Sequence, residues 1–133
     1  MTTTKLSTTN SISYTPDTVK RAEQALFCCP FGLKLFVAMG SQGVPLLTIC
    51  GETGVENGYT QNIVSELGAE AELAWLIKVG LLRREVDGQG ITDSFRLTPL
   101  GRQLANKWEE LGQGLPQPSW QQSLSNTLNK MIS

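Results

Sequence analysis

The stretch GLLRREVDGQGITDSFRLTPLGRQL, residues 80–104, constrains the fold more than any other part of the chain. Two segments with alternating apolar residues flank glycines, a pattern typical of a β-hairpin. We expect a long, flexible tip at residues 87–94, because this segment exceeds a two-residue hairpin turn. Apolar residues share one side of each predicted strand: Leu82 and Val86 in the first, Phe95 and Leu97 in the second.

A helix is predicted directly after the hairpin. Thr98 can accept a hydrogen bond from the first turn, and Pro99 suits the first helical position. We expect the helix to end at Gly112. Four residues form its apolar stripe: Leu100, Leu104, Trp108 and Leu111.

Other helices are predicted before the hairpin. Thr15 can cap a first helix that opens with Pro16, and Pro30 ends it. A second helix is expected over residues 31–40. Residues 45–55 could form a short helix capped by Gly54, although Thr48 and Ile49 would also tolerate a strand.

The longest predicted helix runs from Thr60 to Gly80. Its apolar residues recur every three or four positions, which indicates one buried face. Gly68 disfavours helix relative to alanine, so a break at that point is the alternative. The residues that define the stripe are Ile63, Leu67, Ala71, Ala74 and Ile77.

The composition argues against catalysis and metal binding. A chain of 133 residues suits one domain, and its net charge of -1 creates no overall positive field for nucleic acid. It contains no histidine, phosphate-binding loop or G-x-S-x-G motif, so we expect no enzymatic activity and no cofactor. Cys28, Cys29 and Cys50 lack C-x-x-C spacing, which favours reduced core thiols and no metal site.

The N-terminal sequence has no features of a targeting signal. Residues 1–14 are polar and are expected to form a flexible tail. No apolar run approaches the roughly 20 residues that a membrane-spanning helix needs. We therefore expect a cytoplasmic protein without membrane contact.

Residues 45–111 resemble a winged helix-turn-helix domain. The chain is similar here to MarR-like and related bacterial transcriptional regulators. The similarity lies in the order of its features: a helix, a glycine-leucine pair, a basic strand, a glycine-containing turn and the phrase FRLTPLG. The resemblance implies a mainly α fold with a small β-hairpin wing, in a domain that we place at residues 15–111. It also implies a DNA-binding transcriptional regulator with double-stranded DNA as its partner.

The resemblance assigns roles to two groups of residues. A recognition helix enters the major groove, where asparagine and glutamine can pair with adenine. The start of that helix would hold Asn57, Tyr59, Thr60, Gln61 and Asn62. A wing contacts phosphate or the minor groove, and here it would use Arg83, Arg84, Gln89 and Arg96.

The charges near the predicted recognition helix favour a different partner. No basic residue lies between Lys34 and Lys78. DNA binders obtain much of their affinity from cations that neutralise phosphates. The alternative is a winged-helix module that binds a protein through its acidic helix without binding DNA. Five glutamates occupy this region: Glu52, Glu56, Glu66, Glu70 and Glu72.

The C-terminal residues predict a homodimer. Residues 112–118 form a spacer of prolines and glycines, and residues 119–133 form an amphipathic helix capped by Ser119. Such a short helix is marginal alone in water, so something should cover its apolar side. We expect a second copy, with folding back against the first helix as the alternative. The predicted interface comprises Trp120, Leu124, Leu128, Met131 and Ile132.

Overall fold

The structure, a computed structural model, describes residues 13–133. Within this range the fold is mixed α/β, with six α-helices and a small three-stranded antiparallel sheet. The predicted combination of a helical domain with a small β-hairpin is confirmed at this level. The predicted tail, residues 1–14, lies outside the described residues except for Ser13 and Tyr14. No helix among residues 13–133 combines the length and apolar character needed to cross a membrane.

The elements follow one another along the chain in a simple order. A 3-10 helix, Leu46–Thr48, lies between the first strand and the third α-helix. The α-helices are α1 (Pro16–Cys28), α2 (Leu33–Ser41), α3 (Gly51–Glu56), α4 (Glu66–Lys78), α5 (Pro99–Leu111) and α6 (Trp120–Ile132). The strands are β1 (Val44–Pro45), β2 (Leu82–Asp87) and β3 (Gly90–Leu97).

The first helix begins as the sequence predicts. The backbone amide of Thr18 donates to Oγ1 of Thr15 at 3.2 Å, and Pro16 occupies the first helical position. The helix ends before Pro30, as expected for a residue without a backbone N–H. These signals are local, and the sequence therefore located them correctly.

Residues 45–55 contain the short helix that the sequence left open, whereas Thr48 and Ile49 are not in a strand. Val44 pairs with Phe95 of β3, so β1 is an edge strand of the sheet. The chain then forms the 3-10 helix and α3. Gly54 permits this tight connection, because an added Cβ would lie 1.9 Å from the carbonyl oxygen of Ile49.

The hairpin is tighter than predicted. Its tip is a two-residue turn at Gly88 and Gln89, and most of the expected tip, residues 87–94, belongs to β3. The prediction of a long loop is therefore wrong. The Asp87 carboxylate stabilises the turn by accepting from the amide of Gln89 at 2.7 Å, and Gly90 adopts a positive φ of 118°.

The two strands of the hairpin pair irregularly near the tip. The register shifts between Arg84 and Val86, where two positions of β2 lie against the four positions of β3 from Ile91 to Phe95. The extra residues lie in β3 and are even in number, so β2 keeps its alternation and Leu82 and Val86 share one side as predicted. Leu82 is buried in the core, whereas Val86 lies nearer the tip and is 64% exposed opposite Ile91.

The phrase LTPLG joins the hairpin to α5. Oγ1 of Thr98 accepts from the amide of Gly101 at 3.0 Å and donates to the carbonyl of Leu81 at 3.1 Å. A Cβ at Gly101 would lie 2.2 Å from that same carbonyl oxygen. The predicted cap is confirmed, and the helix ends at Gly112 with a left-handed φ of 73°.

The core lies between the helices and the inner face of the sheet. Helix α2 packs on α5 and on β3, and α4 packs on β2. The largest fully buried side chains come from α1, α2, α4, the hairpin strands and the residue before β2. They include Leu26, Leu35, Phe36, Met39, Leu73, Leu76, Leu81, Leu82 and Phe95.

The close approach of α5 to Leu81 predicts a strong effect of a single methyl group. We expect Gly101→Ala to lower the free energy of unfolding by about 2 kcal/mol, because the added Cβ overlaps backbone that cannot rotate away. Gly88→Ala is the matched control, since a Cβ there meets open space, and it should change stability by less than about 0.5 kcal/mol. Urea denaturation measures both values. Equal stability of the two variants would contradict the close contact between Gly101 and the Leu81 carbonyl.

Candidate functional site

The five residues predicted to open the recognition helix lie in the loop between α3 and α4. Their predicted place at a helix start is wrong, because α4 begins at Glu66 and not at Thr60. Oγ of Ser65 accepts from the amide of Gly68 at 3.0 Å and caps the helix there. Gly68 thus lies in the first turn of α4 and does not break it.

Two of these loop residues have structural roles. The side-chain amide of Asn57 donates to the carbonyl of Thr48 at 3.0 Å and closes the end of α3. The carbonyl of Tyr59 accepts from the amide of Gly32 at 2.9 Å, and its ring packs partly against the core. Both residues hold the loop against the domain.

The other three loop residues differ in exposure. Thr60 is only 6% exposed and forms an isolated bridge with Phe31. Its hydroxyl lies near Gly54, without a hydrogen-bond partner within residues 13–133. Gln61 and Asn62 are exposed, and they alone of the five present mostly free side chains.

The outward face of α4 is acidic and apolar. Ala69, Leu73 and Leu76 face the core, so the opposite side of the helix faces solvent. Leu67 is 78% exposed and Ile63, in the preceding loop, is 63% exposed. The expected buried stripe is therefore wrong at these two positions and at the exposed Ala71 and Ala74, and only Ile77 packs against the core. The outward residues of α4 are Glu66, Leu67, Ala71, Ala74 and Lys78, with the half-buried Glu70 beside them.

Carboxylates and an aromatic ring surround Arg84. Its guanidinium lies 3.8 Å from a carboxylate oxygen of Glu70 and 3.4 Å from one of Asp93. It also lies 4.9 Å from the ring centre of Phe95, at cation–π distance. Arg84 therefore connects α4 to the wing, and its charge is compensated within the protein.

A second wing arginine forms a closer pair. Nε of Arg96 donates to Oε2 of Glu85 at 2.7 Å, with both side chains about one-third exposed or less. Arg83 lies opposite Arg96 in the hairpin and is exposed. No ion-pair partner of Arg83 is found among the described residues. Of the predicted phosphate contacts, Arg83 and the exposed Gln89 remain free for a partner.

The tip of the wing is also acidic and apolar. Val86 and Ile91 face each other across the hairpin and are 64% and 74% exposed. Asp87 and Asp93 lie beside them on the same two strands. A wing built to contact phosphates would be expected to carry cations in these places.

The helix and the wing form one surface, joined where Arg84 contacts both elements. Residues 66–97 contain six acidic and four basic residues, a net charge of -2. We call this surface the α4–wing face. It comprises Glu66, Leu67, Glu70, Arg84, Val86, Ile91 and Asp93.

The C-terminal helix packs on the domain beside α4. Nε1 of Trp75 donates to Oδ1 of Asn126 at 3.0 Å, with both residues buried. Nζ of Lys130 lies 3.3 Å from a carboxylate oxygen of Glu72, and α6 also packs on α1. The alternative that the sequence left open, in which the helix folds back on its own domain, is present in the structure. Sequence reasoning missed the Trp75–Asn126 contact, because the two residues are distant in the chain.

The cysteines are free thiols near the first helix and α3. Cys28 and Cys29 are partly buried, and Cys50 is buried. Burial raises the pKa of Cys29 to about 12 and also raises the pKa of Cys28. Within residues 13–133, no group of three or more cysteine, aspartate and glutamate side chains could hold a metal ion.

The chain as a whole matches a protein family. The fold is helical with a small antiparallel sheet, and the α4–wing face is acidic, with the charges of Arg84 and Arg96 compensated by carboxylates. A family model described as Npun_F0494-like matches residues 12–130, and the chain belongs to the Npun_F0494-like family. No curated protein and no solved structure matches the chain.

The raised thiol pKa values predict a loss of stability in alkaline solution. Below pH 9.0 both the folded and the unfolded chain keep the Cys29 proton; between this value and about 12, the unfolded chain loses it first. The free energy of unfolding should therefore fall as the pH rises through this window. Urea denaturation under reducing conditions measures the decline, and Cys29→Ala should make it shallower. An identical pH dependence in the variant would contradict the assignment.

Proposed function

We propose that the protein is a winged-helix-type scaffold that binds a protein partner through its α4–wing face. The observation that carries the proposal is the character of this face, in which carboxylates surround exposed apolar side chains. The expected partner is a protein segment with apolar residues flanked by lysine or arginine.

The order of elements supports the winged-helix part of the proposal. Helix α2, strand β1, helices α3 and α4 and the β2–β3 hairpin follow one another, and the sheet order is β1-β3-β2. Helix α4 thus occupies the position of the helix that precedes the wing. In DNA-binding winged helices, this helix enters the major groove.

The charges favour protein over DNA on this scaffold. Insertion of α4 into a groove would bring Glu66 and Glu70 close to a polymer that carries one negative charge per roughly 1.7 Å. Arg84 and Arg96 would have to leave their carboxylate partners to contact phosphates. Because cations that neutralise phosphates supply the sequence-independent affinity for DNA, we expect this surface to bind DNA weakly.

The exposed apolar residues suit a protein interface. Leu67, Val86 and Ile91 are each more than half exposed, on two elements joined through Arg84. Protein interfaces commonly have an apolar centre and a polar rim. The rim here has a surplus of carboxylates, which favours a basic partner by charge complementarity.

DNA binding is the second candidate. It is favoured by Arg83, an exposed wing cation without an ion-pair partner among residues 13–133, and by the exposed Gln61 and Asn62 before α4. The sequence-based prediction of a transcriptional regulator depends on the order of elements and on the cluster of Arg83, Arg84 and Arg96, of which Arg84 and Arg96 are paired with carboxylates. In that case Arg83 would contact phosphate, and the glutamine and asparagine would contact bases.

One pair of binding assays distinguishes the two candidates. We expect no binding of labelled random-sequence or genomic duplexes at about 50 mM salt, measured by fluorescence anisotropy. The tagged chain should instead capture a basic protein, in a fixed ratio to itself, from cells that naturally produce a protein of this family. For the purified partner, Leu67→Ser should weaken binding about tenfold or more, because it removes a large exposed apolar side chain from the face.

Leu111→Ser is the matched control, because Leu111 is also exposed but lies at the end of α5. It should leave partner affinity unchanged. Duplex binding that Arg83→Gln weakens and Leu67→Ser leaves intact would overturn the proposal in favour of DNA. A captured protein that binds Leu67→Ser and wild type equally would also contradict it.

A further inference from the structure

The polar side of α6 makes its contacts with the rest of the protein. Asn126 accepts from the Trp75 indole, and Lys130 pairs with Glu72. One turn earlier, the carbonyl of Gln122 lies 4.0 Å from Sγ of Cys28. These three residues of α6 recur every four positions and therefore share one face. An amphipathic helix usually buries its apolar face instead.

The apolar side of the same helix faces outward. Its five residues are half to four-fifths exposed, whereas Asn126 on the opposite side is buried. The residues are Trp120 (74%), Leu124 (52%), Leu128 (50%), Met131 (75%) and Ile132 (82%). Within the described chain, this is a continuous apolar stripe along the whole helix without a covering element.

We propose that a second copy of the chain covers this stripe, with the two α6 helices antiparallel across a two-fold axis. A fully exposed large side chain presents on the order of 150–200 Å², and these five are about two-thirds exposed on average, so the stripe offers roughly 600 Å² per copy and roughly 1,200 Å² in a pair. That area reaches the lower end of the range for stable protein interfaces. The stripe is therefore large enough to hold a dimer by itself.

The spacing of the stripe fits antiparallel pairing. Trp120 and Ile132 are equally far from position 126, and so are Leu124 and Leu128. A two-fold axis beside that position places Trp120 against Ile132 of the second copy and Leu124 against its Leu128. The large indole then meets a smaller side chain, and the dipoles of the two helices oppose each other favourably.

The charges of α6 allow a close approach of two copies. Lys130 is the sole charged residue in the sequence of this helix, and Glu72 compensates it on the side away from the stripe. Two stripes can therefore meet without repulsion between like charges. A neutral, self-complementary surface favours a second copy over a charged partner. This inference is independent of the α4–wing face.

Sedimentation of the full chain tests the dimer. We expect wild type to sediment at twice the chain mass of 14.5 kDa at micromolar concentration. The double variant Leu124→Glu, Leu128→Glu should sediment as a monomer with unchanged circular dichroism, because both side chains are already exposed in one copy. Leu47→Glu, Leu111→Glu is the matched control, with the same charge change at exposed leucines outside α6, and it should remain dimeric.

Disulfide trapping tests the orientation. A mixture of Leu124→Cys and Leu128→Cys chains should form more disulfide-linked dimer than either variant alone, since these positions face each other only in the antiparallel pair. More linkage in each separate variant would overturn the antiparallel arrangement. A monomeric wild type, a dimeric Leu124→Glu, Leu128→Glu variant, or equal disruption by the control would overturn the dimer itself.

Discussion

The hydrogen bond between Trp75 and Asn126 determines which side of the C-terminal helix reaches solvent. Both side chains are buried, and the bond joins residues 51 positions apart. A buried indole N–H without an acceptor would cost about 1–3 kcal/mol, so the amide of Asn126 must face the domain. Since the apolar residues of α6 lie on the opposite side, the same bond directs them outward. The docking of the helix and its free surface thus depend on one buried polar contact.

Ion pairs within the protein determine the charge that the α4–wing face presents, just as the Trp75–Asn126 bond determines which side of α6 is exposed. Glu70 and Asp93 compensate the charge of Arg84, and Glu85 compensates that of Arg96. The proposed choice of partner therefore depends on whether these arginines are free or paired. Fold alone does not decide this choice, which lies in the side chains beside each cation. The exposed Leu67, Val86 and Ile91 add apolar surface to the same face.

Local signals in the sequence predicted several elements, and contacts between distant residues explain the failures. Thr15, Thr98 and Ser119 cap helices as expected, because a cap depends on residues three positions away. The predicted start of α4 was wrong, because Ile63 and Leu67 have the spacing of a buried helical stripe although both are exposed. The register shift between β2 and β3 cannot be seen in alternating residue types. The direction of α6 depends on Trp75, which no pattern within the helix reveals. Of the predicted site, the sequence located the wing arginines but not the carboxylates that pair with them.

Hydrogen exchange of the three tryptophan indoles tests the orientation of α6 most directly. In a ¹⁵N-labelled chain kept dilute enough to be monomeric, the indole N–H of Trp75 should exchange slowly because Asn126 holds it in the core. The indole of Trp120, which is 74% exposed, should exchange rapidly, and Trp108, bonded to Glu23 at 2.9 Å, provides a partly buried reference. Slow exchange at Trp75 with rapid exchange at Trp120 is the predicted result. Protection of Trp120 together with rapid exchange at Trp75 would show that the helix packs by its apolar face and would contradict the account.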